Sequence, residues 1–152
     1  MTLAALASLI EEDHGGVWFL PTRADPKAVQ AAAKRAGFAF FHVEGRNIAR
    51  KEQLLNHVAT VLRFPEHFGH NWDALEECLT DLEWVDAGGY VLYFDHIDAF
   101  LAAQPEQFET LVEILRDAVR SWKEDGTPMI VLLSGAKAPK GVPKLKAGGE
   151  ED

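Results

Sequence analysis

Between Arg63 and Arg116 the chain has no lysine or arginine, although twelve of its Asp and Glu residues fall from Glu66 to Glu113. A surface drawn from that stretch has no cations of its own. That argues against direct nucleic-acid binding, which needs a basic patch. Cysteine is nearly missing too. Cys78 is the only one, which excludes an intramolecular disulfide and a cysteine cluster for zinc. No apolar run approaches the roughly 18 residues of a spanning helix. The opening MTLAALASLIEEDHGG lacks the basic segment of a signal peptide, so a cytoplasmic location away from membranes is expected. Neither a Gly-rich phosphate loop after a strand nor a GxSxG is present, so an enzyme is not expected.

What remains is one globular domain: 152 residues with 47% apolar content supply enough chain for a core. The formal charge of −9 is unevenly spread, with residues 1–63 carrying +2, residues 64–134 carrying −12 and residues 135–152 carrying +1. A field of that sign favours a cationic protein partner.

Local pattern divides the chain into alternating helices and strands. Residues 2–11 read as a short helix broken at Gly15-Gly16, followed by a buried strand, Val17 to Leu20, closed by Pro21. Asp25-Pro26 supplies an N-cap and a first helical proline for a helix that Gly37 ends. Phe38 to Val43 is the second strand, and a helix from about Arg50 to Leu62 stops at Pro65. Tyr90 to Phe94 and Met129 to Ser134 are the last strands, separated by a short helix over 95–101 and a long one from Pro105 to about Lys123. Continuous apolar strands alternating with helices predict an α/β fold with a mainly parallel sheet. From Gly135 the chain is mostly Gly, Ala, Pro and Lys without period, and residues 135–152 read as a disordered tail whose removal should do nothing.

The run FPEHFGHNWDALEECLTD, residues 64–81, holds the main functional signal. At 100° per residue Asp73, Glu76, Glu77, Thr80 and Asp81 share one helical face, while Leu75, Cys78, Leu79 and Leu82 share the other. Trp72 and Ala74 sit at the margins. Most charged helix faces are simply solvated, but those faces mix signs. Here Asp73–Glu77 and Glu77–Asp81 are i, i+4 like-charge pairs, each costing roughly 0.2–0.5 kcal/mol. A one-sign face over two turns fits a surface made for a basic partner.

The same run resembles the hallmark segment of the barstar family, intracellular inhibitors of secreted bacterial ribonucleases. The likeness extends from about Phe38 to Ser134, nearly two-thirds of the chain. It implies a barstar-like small parallel sheet packed with helices, with an extra N-terminal strand and helix. Residues 1–37 would then be an extension packed on the same domain, residues 38–134 the barstar-like domain and residues 135–152 the tail. It also implies inhibition by occlusion. An acidic helix and its preceding loop would cover a basic ribonuclease active site, carboxylates taking the place of substrate phosphates. Asp73, Gly69, Asn71 and Thr80 stand unchanged at family contact positions, Asn71 being also a plausible N-cap. Glu77 stands where the family places its dominant Asp, Glu76 and His67 replace aromatic contacts, and Ser121 replaces a supporting acid. The expected contact set is Asp73, Glu77, Glu76, Thr80, Asp81, His67, Gly69, His70, Asn71 and Trp72. The departures predict a ribonuclease other than barnase as the partner, in a one-to-one complex with an otherwise monomeric chain.

Other sites carry less. His67-x-x-His70 beside Glu66 has poor metal spacing and no evident third ligand, so neither metal nor cofactor is expected. His42 and His57 read as packed or exposed. Trp84 reads as a packed helix-end residue or an aromatic anchor. Cys78 reads as a small buried hydrophobe. The acids of the long helix, Glu106, Glu109, Glu113 and Asp117, read as a solvated face partly paired with Arg116 and Arg120. Two further functions stay open: a binding module for some other cationic protein, without ribonuclease inhibition, and a small metal enzyme using His67 and His70.

Overall fold

The computed structural model describes residues 3–12 and 15–145. Its elements run α1 (Leu3–Glu11), β1 (Gly16–Leu20), α2 (Pro26–Arg35), β2 (Ala39–Glu44), α3 (Lys51–Val61), α4 (Trp72–Asp81), β3 (Tyr90–Asp95), α5 (Asp98–Ala103), α6 (Pro105–Glu124) and β4 (Met129–Ser134). The four strands form one sheet in the order β1-β4-β3-β2, every neighbouring pair parallel. This is the α/β fold with a parallel sheet that the strand pattern predicts.

Both faces of the sheet are covered, and strand alternation sorts the residues. Leu92 and Phe94 of β3 and Val131 and Leu133 of β4 face the core built with α3, α4, α5 and α6. Val91, Tyr93, Ile130 and Leu132 face the opposite core, built with α1 and α2. Parallel crossovers are right-handed. The path β2→β3→β4 steps across the sheet in one direction, with its helices on one face. The path β1→α2→β2 runs back across the sheet, so its helix lies on the other face. Residues 3–37 therefore turn a two-layer arrangement into three layers. Asp25 caps α2, its side chain accepting from Lys27 N at 3.0 Å with Pro26 at the first helical position.

Two expectations fail. The short helix begins at Asp98 rather than Asp95, because Asp95 completes β3 opposite Glu44 of β2. Residues 135–145, expected to be a disordered tail, are packed instead. Phe19 N donates to Pro143 O and Leu145 N donates to Phe19 O, both at 2.8 Å, a parallel bridge along the outer edge of β1. Val142 is buried in one core and Leu145 in the other, and Arg116 of α6 donates to Gly141 O. An edge strand offers unpaired backbone groups, and this segment covers them. The rest of the expected tail, residues 146–152, lies outside the described residues.

Asp95 ties the N-terminal elements to the rest of the chain. Its side chain is fully buried, and Arg23 of the β1–α2 loop binds it through Nε (3.0 and 3.1 Å) and Nη2 (2.7 Å). Ser134 Oγ donates to Asp95 Oδ1 at 2.7 Å, and Tyr93 Oη bonds Ala24 and Ser134. Burial alone would raise the Asp95 carboxyl. Hydrogen bonds from Arg23 and Ser134, with the charges of His96 and Arg23, outweigh it and hold the group below its ordinary value.

Candidate functional site: an acidic groove on α4

The α4 helix starts where the sequence places it. Asn71 is its N-cap, extended at φ −137°, and its side chain accepts from Ala74 N at 2.7 Å. The residue before it carries the backbone distortion: His70 has φ 54°, a left-handed conformation, and its ring packs on Phe68 at 4.8 Å. The sharp turn into the helix thus rests on His70 and not on Gly69. A Cβ on Gly69 would meet Asn71 Nδ2 at 3.3 Å, so its small size serves close approach to the cap. Leu82 ends the helix in a second left-handed turn, φ 45°. Below the helix, Leu75, Cys78, Leu79 and Leu82 are buried as the periodicity predicts. Trp122 of α6 donates to Leu79 O at 2.7 Å, and Trp72 donates to Gln107 at 2.8 Å. These bonds hold α4 firmly against α6.

On the outer side lies a groove of about 520 Å³ lined by Pro65, His67, Phe68, Gly69, Asn71, Asp73, Ala74, Glu77, Cys78, Asp81, Glu83 and Trp84. The i, i+4 series Asp73, Glu77 and Asp81 runs along one wall, and the loop 65–71 forms the other. All three acids are exposed. Among the described residues no cation meets any of them, since the ion pairs centre on Asp95, Glu44 and Asp117. Cys78 lies at the base of the groove, where burial first, then Glu77 and Asp81, pushes its thiol above the ordinary value. It is a packing residue with no thiolate character.

The expected contact residues do not all share this groove. Asp73, Glu77, Asp81, His67, Gly69 and Asn71 line it. Glu76 is exposed on the adjoining side of the helix. Thr80 lines a separate shallow depression with Ser121, Trp122, Glu124 and Asp125, and its hydroxyl donates back to Glu76 O at 2.9 Å. His70 stands beside the groove, and Trp72 points away from it, its ring beneath Lys51 Nζ at 5.4 Å. The sequence reading missed Pro65 and Glu83 as groove residues. The left-handed turn at Leu82 brings Glu83 back to the groove, and helical periodicity cannot carry that signal. Trp84 packs against the domain, as one of its two readings has it. Its Nε1 donates to Leu62 O at 2.9 Å and its ring stands edge-on to Phe64, yet it also walls the groove. Of the α6 acids, Asp117 pairs with Arg120 at 3.0 Å, the partial pairing expected there.

A family model described as Barstar (barnase inhibitor) matches residues 38–134, the segment from just before β2 to the end of β4. The chain belongs to the barstar family. The acidic helix, the loop before it and the three strands β2, β3 and β4 are all inside the match, while α1, α2 and β1 precede it. Barstar family members are inhibitors rather than enzymes, and the family implies a ribonuclease protein as partner. Among curated proteins no relative matches. Two solved chains from Drosophila resemble this one at 13% identity. The first, from a structure of ORC bound to AT-rich DNA and Cdc6, has a TM-score of 0.45 over 89% of this chain and 48% of its own. The second, from ORC bound to DNA, has a TM-score of 0.46 over 97% of this chain and 86% of its own. This chain thus spans about half the length of the first, and likeness at that level bears on neither fold nor function. No helix among the described residues is long and apolar enough to cross a membrane.

Proposed function

We propose that this barstar family member is a cytoplasmic inhibitor of a basic bacterial ribonuclease or ribonuclease toxin, and that the α4 groove is the surface that occludes the enzyme's active site. The observation that carries this reading is the row Asp73, Glu77 and Asp81: three exposed carboxylates on a helix fixed at both ends, with no cation of the described chain to answer them. A ribonuclease active site binds the phosphates of RNA with Arg and Lys, and carboxylates at fixed positions offer those cations charge-assisted hydrogen bonds. Asp73 and Glu77 engage the phosphate-binding cations. Asp81 and the loop from His67 to Asn71 frame the contact, and Glu76 and Thr80 extend it towards α6. The family's supporting acid is Ser121 here, but Glu124 and Asp125 border the same depression as Thr80, so negative charge is still present at that end.

Glu77 is one methylene longer than Asp and Glu76 is not aromatic, so the complementary enzyme differs in shape from barnase. The test is a titration of RNA cleavage by basic ribonucleases from the same source genome. Inhibition that saturates at one molecule per enzyme is the expected result. Complex formation without inhibition would favour the other reading, a binding module for some different cationic protein.

A further inference from the structure

We propose that His42, Glu44, Asp95 and His96, at the carboxyl ends of β2 and β3, form a binding site for a divalent transition-metal ion of the zinc type. The site is remote in role from the α4 groove and shares no residue with it. Parallel pairing sets Glu44 opposite Asp95 and His42 opposite Tyr93. Strand alternation then puts His42 and Glu44 on one face of β2, the face that Tyr93 and Asp95 share on β3. Donor atoms of His42, Glu44 and Asp95 all lie within 4.8 Å of one another.

The two separations to Asp95 fit a shared ion. His42 Nε2 is 3.3 Å from Asp95 Oδ2, and His96 Nδ1 is 3.4 Å from Asp95 Oδ1 and 3.0 Å from Glu44 Oε1. A tetrahedral zinc centre with ordinary bond lengths has donor–donor edges of about 3.3–3.5 Å. Charge-assisted hydrogen bonds between the same groups close to about 2.7–2.9 Å. Both contacts to Asp95 have the longer spacing. The backbone contributes as well: His96 has φ 52°, and the left-handed turn brings its Nδ1 to both carboxylates.

The supporting groups already stand in place. Arg23 and Ser134 hold the Asp95 carboxylate, and Tyr93 holds Ser134, so the one buried ligand is oriented by its neighbours. The other three side chains are between 26% and 38% exposed, which leaves the ion a way in.

The donor set selects the ion. Two imidazoles with two carboxylates suit zinc and its neighbours, whereas magnesium and calcium want oxygen alone. Arg23 cancels one carboxylate charge, which further disfavours cations held by charge. The sequence reading expected no metal because it looked to His67 and His70; the histidines that converge are 54 positions apart, on β2 and after β3.

The test uses the full chain, stripped with a chelator and titrated with Zn²⁺ by calorimetry and with Co²⁺ by its visible absorption. One-to-one binding is expected, with a melting temperature that rises with Zn²⁺. His42→Ala and Glu44→Gln should each weaken binding at least tenfold and remove the rise, while His67→Ala/His70→Ala binds as the parent does. Glu44→Gln keeps the side-chain shape at a partly exposed position, so a folded variant is available whatever His42→Ala does to the strand. The absence of saturable binding would overturn the proposal. So would binding that survives both strand variants, or binding lost on replacing His67 and His70.

Discussion

Two sets of carboxylates in this chain meet opposite fates. Asp95 is buried, and within 3.1 Å it receives Arg23 from a different layer and Ser134 from the neighbouring strand. Asp73, Glu77 and Asp81 stand exposed along one groove, and no described cation reaches them. The first acid has its charge answered inside the fold, so its work is structural, and it is also the buried ligand of the metal site proposed above. The second set costs the helix a little stability and returns nothing to the isolated chain. An acid left unanswered on a rigid element points to an answer from outside.

Breaking the comparison at the groove should have the largest effect. Asp73→Ala and Glu77→Ala should each weaken the ribonuclease complex by about 3–5 kcal/mol, much of it the cost of leaving a buried cation of the enzyme without its partner. Neither change should lower the melting temperature, which calorimetry on the free protein checks. Binding constants within threefold of the parent would remove α4 as the contact surface.

Next in size is the C-terminal segment. Deleting everything after Ser134 removes Val142 and Leu145 from the two cores and uncovers the edge of β1. The expected loss is about 3–5 kcal/mol, taking roughly 1.5–3 kcal/mol for each buried side chain as an upper figure. Urea unfolding reads it out, and an unchanged midpoint would mean that the segment contributes nothing to the fold.

At Asp95 the expected effect is smaller. Arg23→Ala leaves the carboxylate buried with the hydroxyl of Ser134 and the imidazoles. The cost is about 2–3 kcal/mol, below that of a fully buried pair because Arg23 is half exposed and solvent screens it. The pH dependence follows from the lowered carboxyl. A group held below its ordinary value adds stability that is present above about pH 4 and lost as pH falls through the folded-state value. Denaturation midpoints measured from pH 6 down to pH 2 should fall along that range in the parent and fall less steeply in Arg23→Ala.

How much of this could be read from the sequence depends on whether the signal is local. The two faces of α4, the Asn71 cap and the Asp25-Pro26 start of α2 are local patterns, and they predict their elements directly. The segment 135–145 carries only Val142 and Leu145 among Gly, Ala, Pro and Lys, and its docking rests on backbone bonds to Phe19, which composition cannot report. Arg23 and Asp95 are 72 positions apart, and only the folding of the N-terminal residues across the second face of the sheet brings them together. For the site, helical periodicity finds Asp73, Glu77 and Asp81. It puts Trp72 at the margin, where the ring lies beneath Lys51, and misses Glu83, which a left-handed residue returns to the groove.

The smallest effect on stability sharpens the comparison most. Glu77→Lys converts two repulsive i, i+4 pairs, with Asp73 and Asp81, into attractive ones and should stabilise the free protein by about 1 kcal/mol. The same change sets a cation against the cations of the enzyme. Titrating ribonuclease activity with Glu77→Lys, beside a melting curve on the same sample, tests the central claim directly. Inhibition lost with a melting temperature equal to or above the parent's is the predicted result; inhibition retained at one-to-one would contradict it.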